Sequence, residues 1–599
     1  MMSTAAPPFD DSRRLTGPNL YFAGTGAVLE TGIGAPVADA LLEAWTRRIA
    51  RARDALGWPD GPVLVRPHAT GASLAFTAPA DVLYAATEVN EWAWLDTLAE
   101  AGIDTGEAAL QPGHAPVGDE DAALRLLRAV AAAEHLPRLA SLREAAALHA
   151  LPLLLDDERL SLGMGTGSRT WDNHALPAPD EVPWQALHAI PVALVTGSNG
   201  KTTSVRLLAA IAMAQGWHTA NSCTDGLYLD ARLIEDGDYS GPGGARALLR
   251  HPGAEAAILE TARGGLLRRG LGVERADVAL VTNVSPDHFG EYGIHDLDGL
   301  AQVKLTVARA IAADGTVVLN ADNALLRAHA GTVAAQLAWF SGDDDHPLLR
   351  QARADGRGSC GVRDGHLLLF DGTRSHDLGA IADMPLTLSG LAMHNVQNCA
   401  GAALAASRMG IAPATIAAVL ARFGSAHGDN PGRLQRWVLG DGVQAYVDYA
   451  HNPDGLQHLL ELVRRAHGGP GRLHLLLGQA GNRSDEAIAE LAATAAAFTP
   501  DRVVLKDMEG YQRGRASGAV AGVLRAALLR SGVPAEAIVE CLDETAAARL
   551  ILADARPGDS LVLPVHGTGS RARVVMLLDR LQRLGWAPGE PLPPEDAPA

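Results

Sequence analysis

The segment from residue 190 to residue 215 restricts the fold more than any other. A partly β-branched apolar run at 190–196 leads straight into Gly197-Ser198-Asn199-Gly200-Lys201-Thr202-Thr203, and helical spacing follows over 202–215. A strand that turns through glycines into a helix aims several backbone N–H groups at one point, where the helix dipole adds positive potential. Such a unit needs parallel strands beside it and helices over both faces. Segments 256–259, 278–282 and 316–319 supply further short apolar strands, each followed by polar turns and helical sequence. Ligands of open parallel sheets bind beyond the carboxyl ends of the strands. Gly197, Glu260 and Asn283 all sit just past such ends, so three segments are expected to meet at one crevice.

The flanking sequence reads differently. Ahead of this unit, 37–56 and 120–150 have helical spacing, and 62–66 and 72–76 read as strands. The Pro/Asp-rich stretch 173–183 reads as a linker. Beyond residue 430, strands are expected at 443–447, 473–477, 502–505 and 560–563, again with helices between them. The expected fold class is therefore α/β. A P-loop parallel-sheet central domain (188–430) is followed by a smaller Rossmann-like C-terminal α/β domain (431–590) and preceded by an α+β N-terminal domain (1–175).

Charge and cysteines exclude several classes. A formal net charge of −19 argues against nucleic acid or an anionic membrane as partner. The four cysteines form no CxxC pair, so no disulfide framework or metal ribbon is expected. No secretory signal or apolar run of about 18 residues is visible, and a cytoplasmic protein is expected.

Only three of the 50 basic residues are lysines: Lys201, Lys304 and Lys506. Where arginine is the default cation, a lysine marks a place that needs a compact ammonium or a titratable amine. Lys201 lies in the phosphate loop, where it would bridge the β- and γ-phosphates of ATP while the Thr202 hydroxyl reaches Mg²⁺. Glu260, ending an apolar strand, is placed to hold a metal directly or through water, and His288 to offer an imidazole to a second metal. Two cations would neutralise a terminal phosphate and an incoming carboxylate that otherwise repel each other.

Taken in order, the phosphate loop, Glu260, Asn283 to His288, His394-Asn395-Val-Gln-Asn398, Arg433 and Asp448-Tyr-Ala-His451-Asn-Pro resemble the motif series of the Mur ligase superfamily. Within it, Thr224-Asp-Gly-Leu-Tyr228, Glu260-Thr-Ala-Arg-Gly-Gly265 and Lys506 followed by Arg513-Gly-Arg515 look most like the Mur-ligase half of the cyanophycin synthetases. The resemblance covers about residues 188–585. It implies an ATP-dependent, ADP-forming carbon–nitrogen ligase: ATP phosphorylates a carboxylate, and an amine displaces phosphate from the acyl phosphate.

The same resemblance assigns residues. His394, Asn395, Asn398, Arg433 and Asp448 would join the nucleotide site, with a helix cap as the alternative for the asparagines. Lys304 would be a CO₂-derived carbamate that ligates metal, or else a surface lysine on the helix after the loop. His451, Asp485, Lys506, Arg513 and Arg515 would line the second-substrate pocket, and Asp543-Glu544 would face a cationic amine. The sequence departs from the family at Gly481-Asn482-Arg483, where relatives carry Asp in the middle.

Residues 11–170 resemble the front of the cyanophycin synthetases more faintly, through Arg13-Arg14-Leu-Thr-Gly-Pro-Asn19 and Leu162-Gly-Met-Gly-Thr-Gly-Ser-Arg169. The short interval between Trp171 and Gly197 leaves no room for the ATP-grasp module that follows there in that family. Thr87-Glu-Val-Asn-Glu-Trp92 has no histidine, so no zinc site is expected. One ligase site is expected, acting on a small-molecule amine and a carboxylate such as an aspartyl peptide, in a homo-oligomer. The competing expectation is a catalytically silent or regulatory ATP-binding subunit that partners a complete synthetase.

Overall fold

The computed structural model describes residues 8–32, 34–105, 115–286, 289–467 and 471–594. The chain forms two compact units. The first is built from residues up to 284, 289–378 and 399–419, the second from 379–398 and the residues from 420 on.

An eleven-stranded sheet dominates the first unit. From edge to edge its strands are Arg232–Glu235, Gly226–Leu229, Thr219–Cys223, Ala256–Glu260, Val192–Thr196, Ala276–Val281, Ile311–Asn320, Gln336–Phe340, Ser359–Arg363, His366–Phe370 and Ser375–Ala380. The seven from Thr219–Cys223 to Ser359–Arg363 pair in parallel. Val192–Thr196 is buried at every residue, as expected for a strand covered on both faces. It lies between Ala256–Glu260 and Ala276–Val281, so the loops that follow these three neighbours leave the same edge of the sheet.

The front of the chain belongs to the same unit. A four-stranded antiparallel sheet orders Asp11–Leu15, Gly26–Glu30, Gly71–Thr77 and Val63–His68. Helices Asp39–Leu56 and Leu83–Glu100 pack with it around Trp45, Phe76, Trp92 and Trp94. Asp11–Leu15 looks too polar for a buried strand, but Arg13 pairs with Glu30 at 2.7 Å and donates to the Leu267 carbonyl at 2.8 Å. The helical stretch expected over 120–150 is two helices, Glu120–Glu134 and Leu139–Leu148, because Pro137 interrupts it. The stretch read as a linker, 173–183, is ordered into short turns and buries its own Leu176 and Val182 in a small apolar cluster.

The second unit carries a six-stranded sheet in the order Gln435–Val438, Gln444–Asp448, Ser560–Pro564, Leu473–Leu477, Arg502–Leu505 and Ile538–Glu540. Only the first pair is antiparallel. The α/β class, with parallel-rich sheets in both parts, is therefore as expected.

Candidate active site

The loop 197–203 follows Val192–Thr196 and opens the helix Lys201–Ala214. Gly197 has φ +149°, and a Cβ there would lie 1.8 Å from Thr282 Oγ1. Gly200, in the left-handed region at φ +83°, is the residue just before the helix. Asn283 braces the loop: its Oδ1 accepts from the Asn199 N–H at 2.9 Å and its Nδ2 donates to the Asn199 carbonyl at 3.1 Å. The Ser198 N–H donates to the Asn283 carbonyl at 3.0 Å, and Thr282 Oγ1 donates to the Asn199 carbonyl at 2.6 Å. Ser198, Thr202 and Thr203 are buried. Half-buried Lys201 turns its ammonium onto the carbonyls of Gly197 (3.0 Å) and Ser198 (3.1 Å).

Glu260 ends the neighbouring strand and is 2% exposed. Its carboxylate accepts from the Thr202 hydroxyl at 2.8 Å and from the Thr224 hydroxyl at 2.9 Å. Thr224 was legible only as part of a family motif; its bond to Glu260 is long-range and has no local signal. Asp225 beside it pairs with Arg206 of the loop helix at 2.7 Å. Among the described residues no cluster of three or more His, Cys, Asp or Glu side chains forms a metal cage. A hydroxyl and a carboxylate in contact at a helix start are what Mg²⁺ needs from a protein when phosphate oxygens and water complete its shell. The residues present therefore fit a nucleotide with its magnesium. His288 lies outside the described residues. Lys304 sits on the helix Leu297–Leu305 and is 1% exposed, so it is not the surface lysine that the sequence offered as its alternative.

The second unit gathers the remaining expected residues. Asp448 accepts from the Leu434 and Ala450 N–H groups, both at 2.7 Å. Burial raises its carboxyl above the usual range, and Arg433 opposes that shift. Arg433 lies 4.1 Å over the Tyr449 ring, which Arg571 approaches at 5.4 Å. Tyr449 also packs edge-on against His451 and His566, so this residue, which carried no expected role, is the hub of the cluster. Asn395 and Asn398 open the helix Met393–Arg408 and are buried: Asn398 donates to Asn395, which donates to the Leu386 carbonyl. Burial, with His458 second, pushes His394 down to about 4, so it is neutral at pH 7.

Lys506 has no exposed surface. Its ammonium bonds Glu544 and lies 2.8 Å from His566 Nδ1. Glu544, read from sequence as facing a cationic amine, is 2% exposed and also accepts from the His566 and Gly567 N–H groups. Burial lowers the Lys506 ammonium against the pull of Glu544. Arg515 pairs with Asp485 at 2.7 Å, so these two neutralise each other, while Arg513 lies 5.4 Å over Tyr511.

Comparison with known proteins identifies the family of the chain. The Mur ligase middle domain matches residues 195–406, and the Mur ligase, glutamate ligase domain matches residues 432–564. The chain belongs to the Mur ligase family. Among curated proteins it is 37% identical over 390 residues to the cyanophycin synthetase of Trichormus variabilis, covering 64% of this chain and 42% of that protein. It thus spans less than half the length of the cyanophycin synthetases it matches. It is 30% identical over 427 residues to the UDP-N-acetylmuramoyl-L-alanyl-D-glutamate–2,6-diaminopimelate ligase of Xanthomonas campestris pv. campestris, covering 65% of this chain and 80% of that enzyme. Among solved structures, E. coli FolC in complex with DHPP and ADP aligns with a TM-score of 0.47 and 19% identity over 65% of this chain and 89% of that one.

Proposed function

We propose that this protein is an ATP-dependent amide ligase that activates a carboxylate as an acyl phosphate and joins it to the amine of an amino acid or dipeptide. The observation that carries the reading is the convergence of Lys201, Thr202, Glu260 and Asn283 past the ends of three adjacent parallel strands, in a chain of the Mur ligase family. ATP supplies the phosphoryl group and Mg²⁺ offsets its charge. The chain's own part is positioning. The glycine loop presents N–H donors, Lys201 exchanges loop carbonyls for phosphate oxygens, and Glu260 orients the Thr202 hydroxyl toward the cation. Similarity to the cyanophycin synthetases supports an aspartyl β-carboxylate as acceptor and arginine, lysine or a β-aspartyl dipeptide as amine.

The test is phosphate release and product mass across the twenty amino acids and β-Asp-Arg, each offered with aspartyl acceptors. A ligase releases phosphate only when acceptor and amine are both present. Equal turnover with ATP alone identifies a motor-type ATPase, and no turnover under any pairing identifies a silent subunit. The family resemblance further supports a carbamate on buried Lys304. Activity should then fall on CO₂ depletion, and short carboxylic acids should partly restore Lys304→Ala. A wild-type enzyme indifferent to CO₂ removes that role.

A further inference from the structure

A cavity of about 230 Å³ lies within the first unit, where the front of the chain meets the large sheet. Its wall includes Leu271, Gly272, Val273 and Glu274, which immediately precede the strand Ala276–Val281. The phosphate loop leaves the carboxyl end of the neighbouring parallel strand. The cavity therefore lies at the amino ends of the strands, about 17–20 Å of strand away from the nucleotide crevice.

Most charged groups lining it are already paired. Asp157 bonds Arg14 at 2.6 Å, Glu274 bonds Arg143 at 2.9 Å, Asp156 is held by Arg250, and Asp81 accepts the Leu136 N–H at 2.9 Å and lies 2.7 Å from His135 Nδ1. Two are not. Arg246 is 8% exposed, and its guanidinium bonds only Thr16: Nη2 donates to the carbonyl at 2.8 Å and to Oγ1 at 3.0 Å. No carboxylate among the described residues lies within ion-pair distance of it. Burial pushes this arginine down to about 10, as expected of a cation whose lost hydration no partner restores. Glu134 accepts the Tyr84 and Ala85 N–H groups, both at 2.9 Å, and has no cationic partner among the described residues. Burial raises its carboxyl above the usual range.

We propose that this cavity is a second binding site, for a zwitterionic amino acid or dipeptide whose carboxylate seats on Arg246 and whose cationic group faces Glu134. One unpaired cation and one unpaired anion lining the same cavity match a ligand carrying both charges. A simple anion would face Glu134 uncompensated. The volume falls below the roughly 300–1,000 Å³ of sites for drug-sized ligands, which suits an amino acid better than a nucleotide. The assignment stands on the cavity itself and does not depend on the ligase reading.

Hydrogen exchange on the full chain, with L-arginine as probe and L-argininamide as the carboxylate-free control, tests it. L-arginine should slow exchange at 153–157 and 271–274, and L-argininamide should not. Arg246→Gln should raise the half-saturating arginine concentration about tenfold or more, and Glu134→Gln should weaken it less. The wild-type contrast between the two probes keeps the test decisive if Arg246→Gln misfolds. Equal protection by both probes, no protection by arginine, or an unchanged response in folded Arg246→Gln overturns the site.

Discussion

Lys201 and Lys506 both follow carboxyl ends of parallel strands, yet their ammonium groups are held in opposite ways. Lys201 is half-buried and bonds only backbone carbonyls of its own loop. Lys506 is sealed against Glu544 and His566, with no surface exposed. A carbonyl contact is cheaply exchanged for a phosphate oxygen, whereas a buried ion pair resists opening because each charge would be stranded without solvent. The same sheet-edge geometry therefore yields an ammonium ready for a ligand in one unit and a structural clamp in the other. Substitutions should accordingly strike activity in the first and stability in the second.

The largest contrast should come from Lys201→Ala. Loss of the phosphate-loop cation should reduce ligation by about 10³-fold or more while leaving the melting temperature within a degree or two. A comparable fall in stability would erase the distinction between the two lysines. Next is Glu544→Gln, which leaves the Lys506 charge buried without its counterion and should cost about 3–5 kcal/mol in chemical denaturation. Replacing both partners, as Lys506→Met with Glu544→Gln, should cost much less, because no stranded charge remains and the glutamine oxygen can still accept a backbone N–H.

Protonation sharpens the picture further. Burial, with Lys506 second, pushes His566 down to about 4, against about 6.5 in an unfolded chain. Between those values the unfolded chain holds a proton that the native one does not, so stability should fall as pH drops from about 6.5 toward 4. His394 acts in the same direction. Denaturation midpoints across this window should decline for the wild type and less steeply for His566→Asn. The smallest effect belongs to Asp485–Arg515. Asp485 is largely exposed, so Asp485→Asn should cost no more than about 1 kcal/mol in the same assay.

The sequence exposed the two units unequally. The strand, glycine turn and helix of the phosphate loop are contiguous, so residues 190–215 announce their structure and their chemistry together. The strands Leu473–Leu477 and Arg502–Leu505 were equally plain as short, mostly apolar runs. Contacts across long stretches of chain were not legible. Thr224 reaches Glu260 across 36 residues, and Lys506 reaches His566 across 60. Neither spacing carries a period or a motif. The strand Asp11–Leu15 was hidden for a related reason, since its buried arginine is tolerable only with Glu30 beside it.

The placement of the three lysines has a practical corollary. Lys304 and Lys506 are shut away, and Lys201 is only half covered. Apart from the α-amino terminus, an acylating dye thus meets a single reachable target, and that target is the nucleotide loop. Under the proposed ligase reading, amine labelling of the native protein should fall as ATP is added and recover as it is removed.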